Sequence, residues 1–173
     1  MSSSRPFYHS QGNPDWEEWE RDVAYAIESG DQVKGSGRFD MAKGDVKTHS
    51  FLIDCKYTNG SGYALTEALW DKLGAWATNE YREPVVAVRI ENESAIDEVA
   101  VIPEHIYYQI VKEPLRIDDS GLKRQKSRKI GASMSSKRPT IFQLGRQRLV
   151  AYRFSEFAED ANRYEKKLEG GGE

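Results

Sequence analysis

Phe51-Leu52-Ile53-Asp54-Cys55-Lys56-Tyr57-Thr58 is the stretch on which the fold turns. It opens on a hydrophobic run and then places an acid and a lysine two positions apart. On a β-strand successive side chains point to opposite faces. Asp54 and Lys56 therefore share one face, and Ile53, Cys55 and Tyr57 share the other. Asp45 stands nine positions before Asp54, across a turn expected near Lys47-Thr48-His49-Ser50. Residues 45–57 read as a hairpin that gathers two carboxylates and an ammonium. Such crowding is costly, and it becomes reasonable where a divalent cation and a phosphate lie between the groups.

Upstream, Asn13-Pro14-Asp15 is a helix start: a cap residue, proline at the first helical position, then an acid. The helix is expected to run to about Glu28 and stop at Gly30. At 100° per residue Trp16, Trp19, Val23 and Ile27 form one apolar stripe. Glu20 falls at its edge, and an acid on a buried face needs a partner or a metal. Glu18 and Asp22 are expected to point away. Val33-Lys34 begins a short extended segment, interrupted by Gly35-Ser36-Gly37-Arg38.

Downstream, Asn59-Gly60-Ser61-Gly62 reads as a loop and residues 65–81 as a second helix with Leu65, Leu69, Leu73 and Trp76 as its core face. Trp70, Ala77 and Tyr81 form a second apolar strip on this helix, packed inside or facing a partner subunit. Residues 85–90 are a continuous β-branched run, the mark of a buried strand, and residues 99–102 are another. Pro103 opens a short helix to about Lys112. Residues 141–144 and 148–152 are expected to pair as a hairpin, and Ser155 to cap a last helix from Glu156 to about Leu168. The order predicts an α/β domain with a mixed sheet flanked by helices. It divides into a flexible tail (1–12), a core (13–112), a basic extension with a hairpin and a helix (113–169), and a disordered end (170–173).

The chain has 173 residues, 38% hydrophobic and 31% charged, which fits one soluble globular domain with no apolar run long enough to span a bilayer. Met1-Ser2-Ser3-Ser4-Arg5 lacks an apolar signal region, so a cytoplasmic location is expected. A single cysteine excludes an intrachain disulfide, and with only three scattered histidines (His9, His49, His105) a zinc site is not expected.

The net charge of -3 hides a segregation. Between Ser120 and Ser155 stand ten basic residues and no acidic one: Lys123, Arg124, Lys126, Arg128, Lys129, Lys137, Arg138, Arg146, Arg148 and Arg153. The remaining 15 basic residues face all 28 acids. Such asymmetry points to a polyanion held by one region. Without interleaved aromatics the segment suits backbone tracking and recognition of DNA shape rather than base stacking. Gly131 to Ser136 is expected to leave it disordered without DNA.

Glu20, Asp45 and Asp54-Cys55-Lys56, on a helix, a strand start and a strand end, resemble the PD-(D/E)xK nuclease superfamily. Within it they are most similar to the archaeal and phage Holliday-junction resolvases. Trp19-Glu20-Arg21-Asp22, Gly35-Ser36-Gly37-Arg38, Asp45-Val46, Ile53 to Thr58 and Trp70-Asp71-Lys72-Leu73 carry the resemblance, over about residues 16–103. It implies a restriction-endonuclease-like core and a structure-selective endonuclease active on four-way DNA junctions in recombination or repair. It implies that Asp45 and Asp54 bind Mg²⁺ (or Mn²⁺ in its place), joined by Glu20 directly or through water and by the Cys55 carbonyl. Lys56 would orient or activate a water or stabilise charge. Arg21, Ser36, Arg38 and Lys72 would join Lys123, Arg124, Lys126, Arg128, Lys129, Lys137 and Arg138 in contacting DNA. The resembled enzymes act as homodimers. Two alternatives stay open: a restriction-like or repair nuclease on duplex or flapped DNA, and a non-catalytic DNA-binding module. Cys55 reads as a packing residue, His49 as a surface turn residue, and Tyr107-Tyr108 as core.

Overall fold

A computed structural model describes residues 15–33, 44–111, 122–136 and 138–171. The expected tail at 1–12, the Gly35–Arg38 loop with Ser36 and Arg38, and Lys137 lie outside the described residues.

The chain runs α1 (Asp15–Ala26), β1 (Asp31–Gln32), β2 (Val46–Lys47), β3 (Phe51–Thr58), β4 (Gly62–Thr66), α2 (Glu67–Asn79), β5 (Glu83–Glu91), β6 (Ile96–Pro103), α3 (Glu104–Ile110), β7 (Arg124–Gln125), β8 (Ser127–Gly131), β9 (Thr140–Leu144), β10 (Gln147–Arg153) and α4 (Phe154–Gly170). A one-turn 3-10 helix, Ala132–Ser135, follows β8. Eight strands form one mixed sheet in the order β1-β2-β3-β5-β6-β10-β9-β7, and β4 pairs with β8 in a separate ribbon. The expected α/β architecture is present.

β3 and β5 pair in parallel, with Asp54 opposite Val86 and Lys56 opposite Val88. Parallel neighbours need a crossover, and the segment through β4 and α2 supplies it. Both sheet faces are covered, which explains why residues 85–88 are apolar without alternation. One face carries α1, α3 and α4 over Phe51, Ile53, Val85 and Ala87. The other carries α2 and the ribbon over Leu52, Val86 and Val88. Aromatic edges close the first core: Trp19 against Phe154 at 5.0 Å and Phe51 against Phe157 at 5.4 Å between ring centres.

Several expectations need correction. The stripe of α1 begins at Trp19, because Trp16 sits in the first turn and stays 48% exposed. Asp22 does not point away; it pairs with Arg89, which stacks on the Trp19 ring. The extended segment after α1 lies at Asp31–Gln32, just before Val33. Residues 62–66 are a strand rather than loop and helix, and Thr66 caps α2 by accepting the Leu69 N–H at 3.2 Å. The buried face of α2 is Trp70, Leu73 and Ala77, so Trp70 and Ala77 of the second strip pack inside. Tyr81, 97% exposed, has left the helix. α4 starts at Phe154 with no side-chain cap, and Ser155 lies in its first turn.

The basic stretch differs most. Residues expected to be disordered without DNA form β7, β8 and the 3-10 turn, hydrogen-bonded to β9 and β4. From β9 on, the chain builds the main sheet itself: β10 pairs with β6 from Leu149 to Arg153.

Candidate active site

β3 is buried through Ile53 and becomes half-buried from Asp54, where its face leaves the core for the site. Lys56 Nζ donates to Asp54 Oδ1 at 3.0 Å and lies 3.0 Å from Oδ2. Strand alternation thus places the pair as the sequence requires. Asp45 precedes β2, where its N–H donates to Ile53 O at 2.9 Å and its carbonyl accepts from Val33 N–H at 2.8 Å. Its carboxylate reaches further along β3: Oδ2 accepts the Cys55 N–H at 2.7 Å. Gly44, at φ +77°, permits this approach, since a Cβ there would stand 2.4 Å from Leu52 Cδ1.

Glu20, only 7% exposed, enters from the buried side of α1. Gln32 Nε2 donates to its Oε2 at 3.0 Å, the partner that an acid in this position demands. Burial raises the Glu20 carboxyl above its ordinary range; the Gln32 hydrogen bond opposes this and the Asp45 charge adds to it. Burial pushes Asp54 up to about 6, with Lys56 pulling down and Asp45 pushing further up. Burial would lower Lys56, but Asp54 outweighs it and holds the ammonium above its usual range. The Cys55 thiol is driven well up by burial and then by Asp45, Asp54 and Glu20. The thiol stays protonated and feels all three acids, so the residue marks the centre of the cluster and is no nucleophile.

Three carboxylates from three elements therefore share one electrostatic neighbourhood. Among the described residues no three His, Cys, Asp or Glu side chains already form a metal cage. Asp45, Asp54 and Glu20 are hard oxygen donors, the type that Mg²⁺ binds while keeping most of its waters. The upward push on Asp54 comes first from burial, with Lys56 opposing it and Asp45 adding to it.

Sequence reasoning misses Gln32 and Tyr63. Gln32 sits in a two-residue strand with no pattern to flag it. Tyr63, on β4, packs against the cluster containing Val86 and Val88, the residues paired with Asp54 and Lys56. Burial raises its phenol, with Lys56 and Asp54 as its charged neighbours. The strand that carries it has the local pattern of a loop and a helix start, so nothing in the sequence places it at the site.

Of the candidate DNA contacts, Arg21, Lys72, Lys123, Arg124, Lys126, Lys129 and Arg138 are exposed, and Arg128 is half-buried. Lys72 Nζ lies 4.7 Å from the centre of the Trp76 ring, and the Arg128 guanidinium 5.7 Å from that of Phe142. Arg124 faces Glu67 at 3.5 Å, and Lys129 Nζ donates to Ser61 Oγ at 2.5 Å. β8 lies beside β4, with Tyr63 opposite Ile130 and Ala64 opposite Lys129, so the basic strand borders the strand that covers the Asp54–Lys56 pair. His49 is exposed and pairs with Glu169, while Tyr107 is buried and Tyr108 is 42% exposed.

No family model and no curated protein matches the chain. Among solved structures the chain is similar to Hjc of Archaeoglobus fulgidus, a Holliday junction resolvase from an archaeal hyperthermophile. That likeness covers 68% of this chain and 88% of the other, at 18% identity and a TM-score of 0.43.

Proposed function

We propose that the chain is a Mg²⁺-dependent, structure-selective DNA endonuclease, with four-way junctions as its preferred substrate. One observation carries the reading. The Asp45 carboxylate is fixed on the Cys55 N–H beside the Asp54–Lys56 pair, with Glu20 close enough to feel Asp45. An acid and a lysine on one strand face, a second acid from the start of the neighbouring strand and a third from a helix suit in-line hydrolysis of a phosphodiester.

In this reading Asp45 and Asp54 hold Mg²⁺, with the Cys55 carbonyl and Glu20 as further oxygen donors. When bound, the ion acidifies a water and neutralises charge developing on the phosphate. Lys56 stays an ammonium, because Asp54 stabilises that form. Its contribution is therefore to attract the phosphate and stabilise added negative charge, not to remove a proton. Gln32 orients Glu20, and the Cys55 N–H orients Asp45, so neither acid has to be ordered when substrate arrives.

The cations on and beside β7 and β8 support DNA as the substrate. Arg124, Arg128 and Lys129 stand on paired strands, which suits phosphate contacts to a duplex of defined shape better than wrapping a flexible strand. Homodimerisation belongs to the same proposal, since a junction has two symmetric strands to cut. The deciding experiment offers purified protein with Mg²⁺ a four-way junction and a linear duplex of the same sequence. Paired symmetric nicks in the junction, with the duplex spared, are expected. Equal cutting of both would replace the junction reading with that of a duplex nuclease, and no cutting of any DNA would remove the catalytic one.

A further inference from the structure

We infer that Asn162 and Glu165, one turn apart on α4, are positioning residues for the carboxylates of the site. The inference rests on the reading of Glu20, Asp45 and Asp54 as metal ligands. Glu165 is 5% exposed and forms no ion pair among the described residues. Its Oε1 accepts from the Thr48 hydroxyl at 2.6 Å and from the Ser50 N–H at 2.8 Å. Its Oε2 accepts from the Ser29 hydroxyl. Asn162 holds the end of α1: its Oδ1 accepts the Glu28 N–H at 2.8 Å and its Nδ2 donates to Ala26 O at 3.0 Å.

An ionised carboxylate only accepts hydrogen bonds. Thr48 and Ser29 each give it their single hydroxyl proton, which leaves their lone pairs for the turn. Thr48 Oγ1 accepts the Phe51 N–H at 2.9 Å, and Ser29 Oγ accepts the His49 N–H at 3.1 Å. One acid on a remote helix thus fixes every residue of the turn between β2 and β3.

That turn has an unusual burden. β2 contributes only two paired residues, Val46 opposite Ile53 and Lys47 opposite Leu52. So short a ladder fixes its register weakly, and a slip of one residue turns every side chain to the other face. The Asp45 carboxylate would then lose the Cys55 N–H and its place beside Asp54. The same α4 face reaches the end of the helix that carries Glu20 and, through Ser29, the segment leading to Gln32. Asn162 and Glu165 therefore tie together the elements that carry all three acids.

The test is calorimetric titration of the full chain with Mn²⁺, without DNA, for wild type, Glu165→Gln and Asn162→Ala. A glutamine presents an amide donor where a hydroxyl donor already points, so Glu165→Gln loses one arm at unchanged volume. Mn²⁺ affinity should fall by about tenfold, the scale seen for groups that orient metal ligands. Binding of junction DNA in EDTA should stay within about twofold, since the basic strands are untouched. Leu144→Ala, a core truncation at the end of β9, is the control: it should lower the melting temperature and leave Mn²⁺ affinity at the wild-type value. Wild-type Mn²⁺ affinity in both Glu165→Gln and Asn162→Ala would overturn the positioning role, as would a loss no larger than that of Leu144→Ala. An absence of Mn²⁺ binding by the wild type would instead overturn the metal reading beneath it.

Discussion

Asp54 is held between opposing influences: burial and Asp45 disfavour its charge, and Lys56 favours it. Its folded-state carboxyl near 6 stands above the ordinary 3.8, so the native state binds its proton more tightly than the unfolded chain does. The sign follows. In the absence of metal this group weakens the fold as pH rises through the interval from about 4 to 6, and the cost is fully present above 6. Asp54→Asn should therefore be more stable than wild type at pH 7.5 in EDTA, by about 3 kcal/mol with a higher melting temperature, and the gain should vanish near pH 4. Mg²⁺ should raise the wild-type melting temperature at pH 7.5 and leave that of Asp54→Asn unmoved. A variant that melts lower than wild type in EDTA would contradict the account of the charge cluster. Lys56→Ala should lose cleavage by at least about a hundredfold while keeping DNA affinity, the loss expected when a group stabilising transition-state charge is removed. Retained cleavage would take Lys56 out of the site. These residues are legible in the sequence because strand alternation is a local rule. The partner of Glu20 is not, because Gln32 belongs to a strand too short to have a pattern.

At the level of elements, β3, β5, β6 and the β9–β10 hairpin are all where their sequences put them, since each carries its own apolar run or turn. β4 is hidden. Its partner β8 lies more than sixty residues away and carries basic residues, so neither strand announces itself alone. Leu65 also stands four residues before Leu69 and so extends the helical spacing of α2 backwards, which makes a strand residue look helical. Gly62 makes the ribbon possible: a Cβ there would stand 2.5 Å from the Ile130 carbonyl oxygen. Gly62→Val should open the β4–β8 pairing, cost about 2–3 kcal/mol, and speed amide exchange at residues 127–131 while β5 and β6 stay protected. Unchanged exchange at 127–131 would show that the ribbon tolerates the clash. The face of α2 is ambiguous in sequence for a related reason. Two apolar strips compete on one helix, and only the sheet beneath decides that Trp70, Leu73 and Ala77 face inward.

At the scale of the whole molecule, the bases are segregated in sequence, while the fold brings acids from elsewhere against some of them: Glu67 against Arg124 and Glu104 against Arg148. Charge counting finds the basic region but not its form, because the pairing of β7 with β9 and of β8 with β4 joins distant segments. A preformed basic surface predicts specific salt behaviour. Replacing Lys123, Arg124, Lys126 and Arg128 with Gln should weaken DNA binding and reduce the slope of log affinity against log salt by up to about 3.6, close to 0.9 for each phosphate no longer neutralised. An unchanged slope, measured by fluorescence anisotropy across a salt series, would remove these residues from the DNA surface. The fold should survive, since Lys123, Arg124 and Lys126 are exposed and Arg128 only half-buried.

α4 also sets an order of events. Glu165 follows Thr48, its partner in the turn, by 117 residues. During synthesis Glu20, Asp45, Asp54 and Lys56 leave the ribosome long before the helix that pins their hairpin. A nascent chain halted before residue 160 would carry every acid of the centre, with the short β2–β3 ladder but without the α4 carboxylate that fixes its turn. On the proposed reading, the acids gain their tie to α4 only after the basic strands offered to DNA have been made.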